Sequence, residues 1–197
     1  MTPIVLASAS PSRAALLRAA GVTFSVTPSR VDEDAVKTRM LGQGATPDAV
    51  ARGLAELKAR AVSQETAGLV IGADQTLDFD GILYDKPRDL AESRERLKVL
   101  RGRRHDLHAA VCVARQGEVI WSVMDTARLT MRPFSDDFLD AYLKRQGEAV
   151  TASTGAYLLE GEGIQLFETI EGDYFSILGL PLLPLLGFLR EARALPA

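Results

Sequence analysis

Ile4-Val-Leu-Ala-Ser-Ala-Ser-Pro-Ser-Arg13, continued by Ala14-Ala-Leu-Leu-Arg-Ala-Ala-Gly21, is the stretch that decides the architecture of this chain. Residues 4–7 are a short apolar run with two β-branched side chains, bounded by small polar residues, and read as a buried strand. Ser10 is a good N-cap, Pro11 a good first helical residue and Gly21 a good helix stop. The chain therefore opens strand, tight turn, helix. Backbone N–H groups at such a helix start point outward, and the dipole there favours an anion.

Working outward, residues 24–27 read as a second short strand. Residues 32–45 are polar and charged, carry two glycines and read as a loop. Thr46-Pro-Asp48 opens a helix in which Val50, Leu54, Leu57 and Ala61 recur at helical spacing, to about Ser63. Residues 69–72 form a buried strand that residues 73–79 extend with partial alternation, and Asp80-Gly81 signals a hairpin turn. Residues 90–100 are amphipathic, with Leu90, Leu97 and Leu100 on one side. Residues 106–115 and 118–131 flank Gln116-Gly117 as an antiparallel hairpin. Ser135-Asp-Asp-Phe138 caps a helix to about Arg145. Residues 155–169 read as strand and loop, and Gly179-Leu-Pro181 starts a last helix to about Ala194. No internal repeat or linker interrupts this order. The fold class is α/β with a mixed sheet.

The bulk numbers bound the function. A chain of 197 residues suits one domain, or one domain with two lobes, and buries most of its apolar surface without disulfide or metal staples. A net charge of −3 makes it a poor electrostatic match for a long phosphate polymer, so no nucleic-acid partner is expected. A small triphosphate needs only a few local cations and a metal ion. Cys112 is the one cysteine and reads as a buried, inert thiol in an apolar run. The N-terminus lacks the pattern of a secretory signal. The most apolar run, residues 177–189, is too short to span a bilayer and contains Pro181 and Pro184. The expectation is a cytoplasmic protein with no membrane partner.

Four clusters can carry chemistry, and each has a plainer reading. Ser8-Ala-Ser-Pro-Ser-Arg13 can bind phosphate through Ser8, Ser10, the helix start and a forking Arg13, or be an ordinary cap with a surface arginine. Val31-Asp-Glu-Asp34 places three carboxylates together on a predicted loop, which suits Mg²⁺ or Mn²⁺ or a solvated acidic turn. In Gly72-Ala-Asp-Gln-Thr76, Asp74 stands where a buried strand ends, so its carboxylate must be paired, hydrogen-bonded or metal-bound. Ligands also gather at strand ends of open α/β sheets. In Tyr84-Asp-Lys-Pro87, Lys86 is either a surface lysine or a cation aimed at the same cleft as Asp74. Lys58, on the helix from Thr46, has the same two readings. His105 and His108, three apart in a predicted strand, project to opposite faces and are assigned no chemistry. No Ser-His-Asp, P-loop, dinucleotide-binding or zinc pattern is present.

Taken in order, these segments resemble the Maf family of nucleotide pyrophosphatases. The resemblance rests on Leu6-Ala-Ser-Ala-Ser-Pro-Ser-Arg13, Val31-Asp-Glu33, Leu57-Lys-Ala59, Ile71-Gly-Ala-Asp74, Lys86-Pro87, Gly155-Ala-Tyr157, Ile170-Glu-Gly172 and Gly179-Leu-Pro181, and so spans nearly the whole chain. No one tetrapeptide is specific; the ordered set is. It implies a single domain over residues 1–197, with a fold similar to the inosine triphosphate pyrophosphatases. That fold is an elongated, bent mixed β-sheet with flanking helices and a cleft between two lobes. It also implies cleavage of the α–β phosphoanhydride of a nucleoside triphosphate, with a divalent metal cation (Mg²⁺ or Mn²⁺) as cofactor, and a possible homodimer.

Carried over residue by residue, the resemblance assigns Ser8, Ser10, Arg13 and Lys58 to the phosphate chain. It makes Asp74 the general base and a metal neighbour, Glu33 a holder of metal or water, and Lys86 a balance for phosphate charge. Three positions depart from many members: Ser12 stands for a second arginine, Gln75 for threonine and Glu160 for glutamine. Gln75 with Glu160 looks like the branch that prefers 7-methyl-GTP over the one that prefers dTTP and UTP. A carboxylate at Glu160 can accept from a guanine edge or offset a methylated ring, or simply face solvent. The competing reading is a non-catalytic, nucleotide-binding regulator of cell division, which binds without turnover.

Overall fold

The computed structural model describes residues 2–196. β1 (Ile4–Leu6) leads through the Ser8–Ser10 turn into α1 (Pro11–Ala19). Ser10 caps α1 by accepting from the Arg13 N–H at 3.4 Å, and Pro11 fills the first turn. β2 (Ser25–Val26) follows. The next segment departs from the sequence expectation. Residues 32–45 are not a loop, because α2 (Glu33–Gly42) occupies most of them. Asp32 caps it by accepting from Ala35 N–H at 3.0 Å, and Glu33 and Asp34 lie in its first turn, where the helix dipole favours carboxylates. α2 has no buried residue, so it left no apolar period to read.

α3 (Pro47–Glu65) and β3 (Leu69–Phe79) form the frame of the site. β3 turns at Asp80-Gly81 into β4 (Ile82–Tyr84), both turn residues having positive φ. α4 (Leu90–Leu100) is capped by Asp89, and β5 (Arg104–Arg115) and β6 (Glu118–Met131) come next. α5 (Asp136–Gln146), two 3-10 turns (Gly147–Ala152 and Glu162–Leu166) and β7 (Phe167–Glu171) complete the middle of the chain. A short α6 (Tyr174–Ile177), not read from the sequence, comes first. The expected last helix is present as α7 (Leu182–Glu191), which begins only after Pro181.

Among the described residues the strands run in the order β2-β1-β3-β5-β6-β7, with β4 beside β3. β1 pairs parallel with β2 and β3, whereas β3–β4 and β6–β7 are antiparallel, so the sheet is mixed as expected. The chain divides into two compact units. The first comprises Met1–Gln75, His108–Thr126 and Asp173–Ala197; the second comprises Thr76–Leu107 and Ala127–Gly172.

In the first unit, Leu6, Leu17, Ile71, Val113, Leu185 and Leu189 are fully buried in one core. On the other side Ala51, Ala55 and Ala59 of α3 meet Ala110 and Cys112 of β5. Small residues let α3 lie almost on the strand. A Cβ on Gly72 would sit 2.2 Å from the Ala55 carbonyl oxygen and 2.9 Å from Ala59 Cβ, so only glycine fits. Cys112 is 1% exposed, and burial pushes its thiol up to about 12, consistent with an inert core cysteine.

In the second unit, Tyr142 and Tyr157 are buried. His105 Nε2 shares a 2.8 Å hydrogen bond with the Tyr157 hydroxyl, and both rings lie near Phe167. Among the described residues no helix is long and apolar enough to cross a membrane.

Candidate active site

The first unit gathers three charged side chains at one point. β3 holds Asp74, buried, near its middle rather than at the strand end the sequence suggested, and the close approach at Gly72 brings α3 alongside. Lys58 lies on the buried face of α3, in step with Val50, Leu54 and Val62. It is only 4% exposed. The start of α2 supplies Glu33. The Lys58 ammonium sits 2.7 Å from Asp74 Oδ1 and 2.7 Å from Glu33 Oε2, bridging the two carboxylates. Because Lys58 is buried, the surface reading of this lysine does not hold.

Asp74 feels opposing forces. Burial pushes its carboxyl above the ordinary range, whereas Lys58 and then Arg13 pull it down. Burial is the larger effect, and Glu33 adds to it by like-charge repulsion. A carboxylate held above its usual range is a better proton acceptor near neutral pH than a solvated one.

Arg13 is nearly buried, and burial lowers its pKa against the raising pull of Asp74 and Glu33. Its guanidinium donates from Nε to the Gly179 carbonyl at 2.8 Å, and from Nη1 to Ser8 Oγ at 3.1 Å and the Ala73 carbonyl at 2.9 Å. It is therefore not the surface arginine of the plainer sequence reading. Its Nε and Nη1 donors are committed to the protein, so an anion would be met from Nη2. Ser8 Oγ also accepts from Ser10 N–H at 3.2 Å, so Ser8 orders the turn while Ser10 caps the helix.

Gln75 and Ser12 have a local role the sequence did not disclose. Gln75 Nε2 donates to the Ser176 carbonyl at 2.8 Å and the Ile177 carbonyl at 3.0 Å, and Ser12 Oγ donates to the Leu178 carbonyl at 3.1 Å. With Arg13 on Gly179, four consecutive carbonyls at the end of α6 receive side-chain donors. Gly179 has φ +97°, a conformation glycine adopts without strain, and this turns its carbonyl toward Arg13. Both amide hydrogens of Gln75 are thereby committed to backbone, and only its oxygen remains to meet a ligand.

The remaining two predicted residues lie in the second unit. Lys86 is exposed in the segment after β4, and Glu160 is exposed in the turns before the second 3-10 segment. His108, buried in β5, shares a 2.9 Å hydrogen bond with Thr126 Oγ1.

The donor set fits a hard divalent cation. Glu33 and Asp74 already aim one oxygen each at a shared positive charge, and Mg²⁺ commonly takes one or two carboxylates together with substrate phosphates. Among the described residues there is no group of three or more His, Cys, Asp or Glu side chains arranged to hold a metal. Glu33 and Asp74 are the residues that would hold it.

Comparison with known proteins identifies the family. The sequence model described as Maf-like protein matches residues 3–192. A protein of Caulobacter vibrioides named nucleoside triphosphate pyrophosphatase is 54% identical over 195 residues, covering 99% of this chain and 98% of that one. A protein of Rhizobium meliloti named 7-methyl-GTP pyrophosphatase is 50% identical over 195 residues, covering 98% of each. A solved structure described as a HAM1 protein from Coxiella burnetii aligns over 66% of this chain and 73% of its own at a TM-score of 0.44 and 17% identity, a likeness too partial to carry an argument. On the family match and these full-length identities, the chain belongs to the Maf family.

Proposed function

We propose that this protein is a nucleoside triphosphate pyrophosphatase that converts its substrate to a nucleoside monophosphate and pyrophosphate. The observation that carries the reading is the buried Lys58 ammonium shared at 2.7 Å by Glu33 and Asp74, next to a helix start backed by Arg13. The names of the full-length relatives point the same way.

Asp74, its carboxyl raised by burial, takes a proton from water. The water oxygen bonds to the α-phosphorus as the bond from that phosphorus to the α–β bridging oxygen breaks, and the bridging oxygen leaves with pyrophosphate. Lys58, the α1 N–H groups and the Nη2 end of Arg13 bind and orient the phosphates, and Lys86 balances their charge. A divalent cation, when bound by Glu33 and Asp74, supplies further charge neutralisation.

Within this reading the preferred substrate is a modified guanine nucleotide, 7-methyl-GTP. Relatives named for it share about half their residues with this chain, and Glu160 is an exposed carboxylate able to accept from a guanine edge or offset its methylated ring. The experiment is a pyrophosphate-release screen over 7-methyl-GTP, GTP, dTTP and UTP, with Mg²⁺, Mn²⁺ or chelator. Release fastest from 7-methyl-GTP and only with metal is expected. Binding without turnover would overturn the hydrolase reading, and an equal rate on all four would overturn the substrate.

A further inference from the structure

The second unit contains a buried cation that the function above does not use. Arg96, midway along α4, is 7% exposed. Its Nη1 donates to the Asp85 carbonyl at 2.8 Å and also to the Thr154 carbonyl. The guanidinium carbon lies 4.6 Å from the centre of the Tyr84 ring, and Nη2 is 3.7 Å from Glu92 Oε1. Glu92 Oε2 in turn accepts from Arg88 N–H at 3.1 Å. Burying a guanidinium is costly unless its donors are met, and here one nitrogen meets two backbone carbonyls from chain segments far apart in sequence.

Those segments carry the two candidate substrate residues of this unit. Asp85 immediately precedes Lys86. Thr154 begins the turn-rich stretch that ends at Glu160, and that stretch is firmly held. Tyr157 is fixed by His105, Leu158 N–H donates to the Tyr142 hydroxyl at 3.3 Å, and Ala156 takes a left-handed φ of 60°. A stretch so constrained moves as a piece, so an anchor at Thr154 also sets where Glu160 stands.

We propose that Arg96 is a positioning residue for hydrolysis. By joining the Asp85 and Thr154 carbonyls it fixes the spacing between the Lys86 segment and the Glu160 segment. This rests on the assignment of Lys86 to phosphate and Glu160 to the base.

The test compares wild type with Arg96→Lys, Lys86→Ala and the double variant, using pyrophosphate release from 7-methyl-GTP and dTTP. Arg96→Lys keeps the charge but loses the planar fork. A misplaced binding group can cost on the order of tenfold to a hundredfold, and a loss of that size in kcat/KM is expected. It should be larger for 7-methyl-GTP than for dTTP, because Glu160 shifts with its segment. In the Lys86→Ala background the loss should shrink, because two residues acting through one contact are not additive. Glu92→Gln, which loosens Arg96 without removing it, should move both readouts the same way by less. In the folded Arg96→Lys protein, amides of residues 85–88 and 154–160 should exchange faster while those of α4 keep their protection. An active wild type whose Arg96→Lys loss is equal for both substrates and undiminished without Lys86 overturns the positioning role alone. A wild type that releases no pyrophosphate from any triphosphate overturns the parent function, and this role with it.

Discussion

Lys58 Nζ and Asp74 Oδ1 meet at 2.7 Å in a setting where Lys58 is 4% and Asp74 8% exposed, so the pair is sealed from solvent on most sides. Removing the charge from Asp74 separates chemistry from folding. Asp74→Asn should lower kcat by about a hundredfold to ten-thousandfold, the range typical of a general base. Stability should follow the opposite course. Because burial raises the Asp74 pKa, its contribution is fully present below the ordinary carboxylate pKa and is lost as pH rises through the shifted value. Asp74→Asn should abolish that alkaline loss. Equilibrium unfolding across pH, beside single-turnover rates, measures both; an Asn variant with parental turnover would show that another group accepts the proton.

Lys58→Met should be the most damaging single change at the site. It leaves Glu33 and Asp74 facing one another without their shared cation, and breaking a buried pair of this kind costs on the order of 3 kcal/mol. Urea unfolding gives the number. Mn²⁺ should recover part of the loss, because a divalent ion, if held by Glu33 and Asp74, would supply the positive charge they have lost. A Lys58→Met protein indifferent to Mn²⁺ would argue that these carboxylates do not hold the metal.

Gln75 distinguishes anchoring from base reading. Its amide hydrogens both go to backbone, at Ser176 and Ile177, so Gln75→Glu would set a carboxylate against two carbonyl oxygens. The expected loss is about 1–3 kcal/mol of stability. Turnover should fall for every triphosphate alike, since the α6 turn also holds Arg13 through Gly179. A change in the ratio of rates for 7-methyl-GTP and dTTP would instead place the Gln75 side chain against the base.

His105 gives the protein an acid-side weakness. Burial lowers its pKa from 6.5 to about 4, and Nδ1 is buried with no hydrogen-bond partner among the described residues. The unfolded chain takes up this proton first, so stability is complete above about pH 6.5 and declines toward pH 4, by roughly 3 kcal/mol in all. His105→Gln, which can still meet the Tyr157 hydroxyl, should flatten that slope. Thermal melts between those two pH values provide the check, and an unchanged slope would assign the acid sensitivity to other groups.

The elements that showed in the sequence were those with a strong apolar period or a clear cap. α4 was bounded correctly by Leu90 and Leu100, and the turns at Asp80-Gly81 and Gln116-Gly117 fell where their residue types place them. α2 was read as a loop because it buries nothing, and its acidic start, taken as a bare carboxylate cluster, is largely cap chemistry. At the site, Asp74 was legible because a carboxylate following a buried apolar run demands a partner, although β3 does not end there but continues to Phe79. Lys58 was half hidden. The sequence pointed to Val50, Leu54, Leu57 and Ala61 as the apolar face of α3. Val50 and Leu54 are buried, but the row they begin continues through Lys58 and Val62, beside the buried Ala51, Ala55 and Ala59, while Leu57 and Ala61 are only partly buried. A lysine in that row was the available signal. Ser12 and Arg96 act on backbone carbonyls, which no side-chain pattern reveals.

Gly72 gives the charged cluster a ruler. α3 and β3 approach at Gly72 until peptide meets peptide, and that distance is what lets the stem of Lys58 reach Asp74. Bulk introduced at this seam would act as a shim, lifting the helix and parting the two charges while every reactive group kept its chemical identity. An enzyme of this design can be disabled from a place that holds no functional group at all.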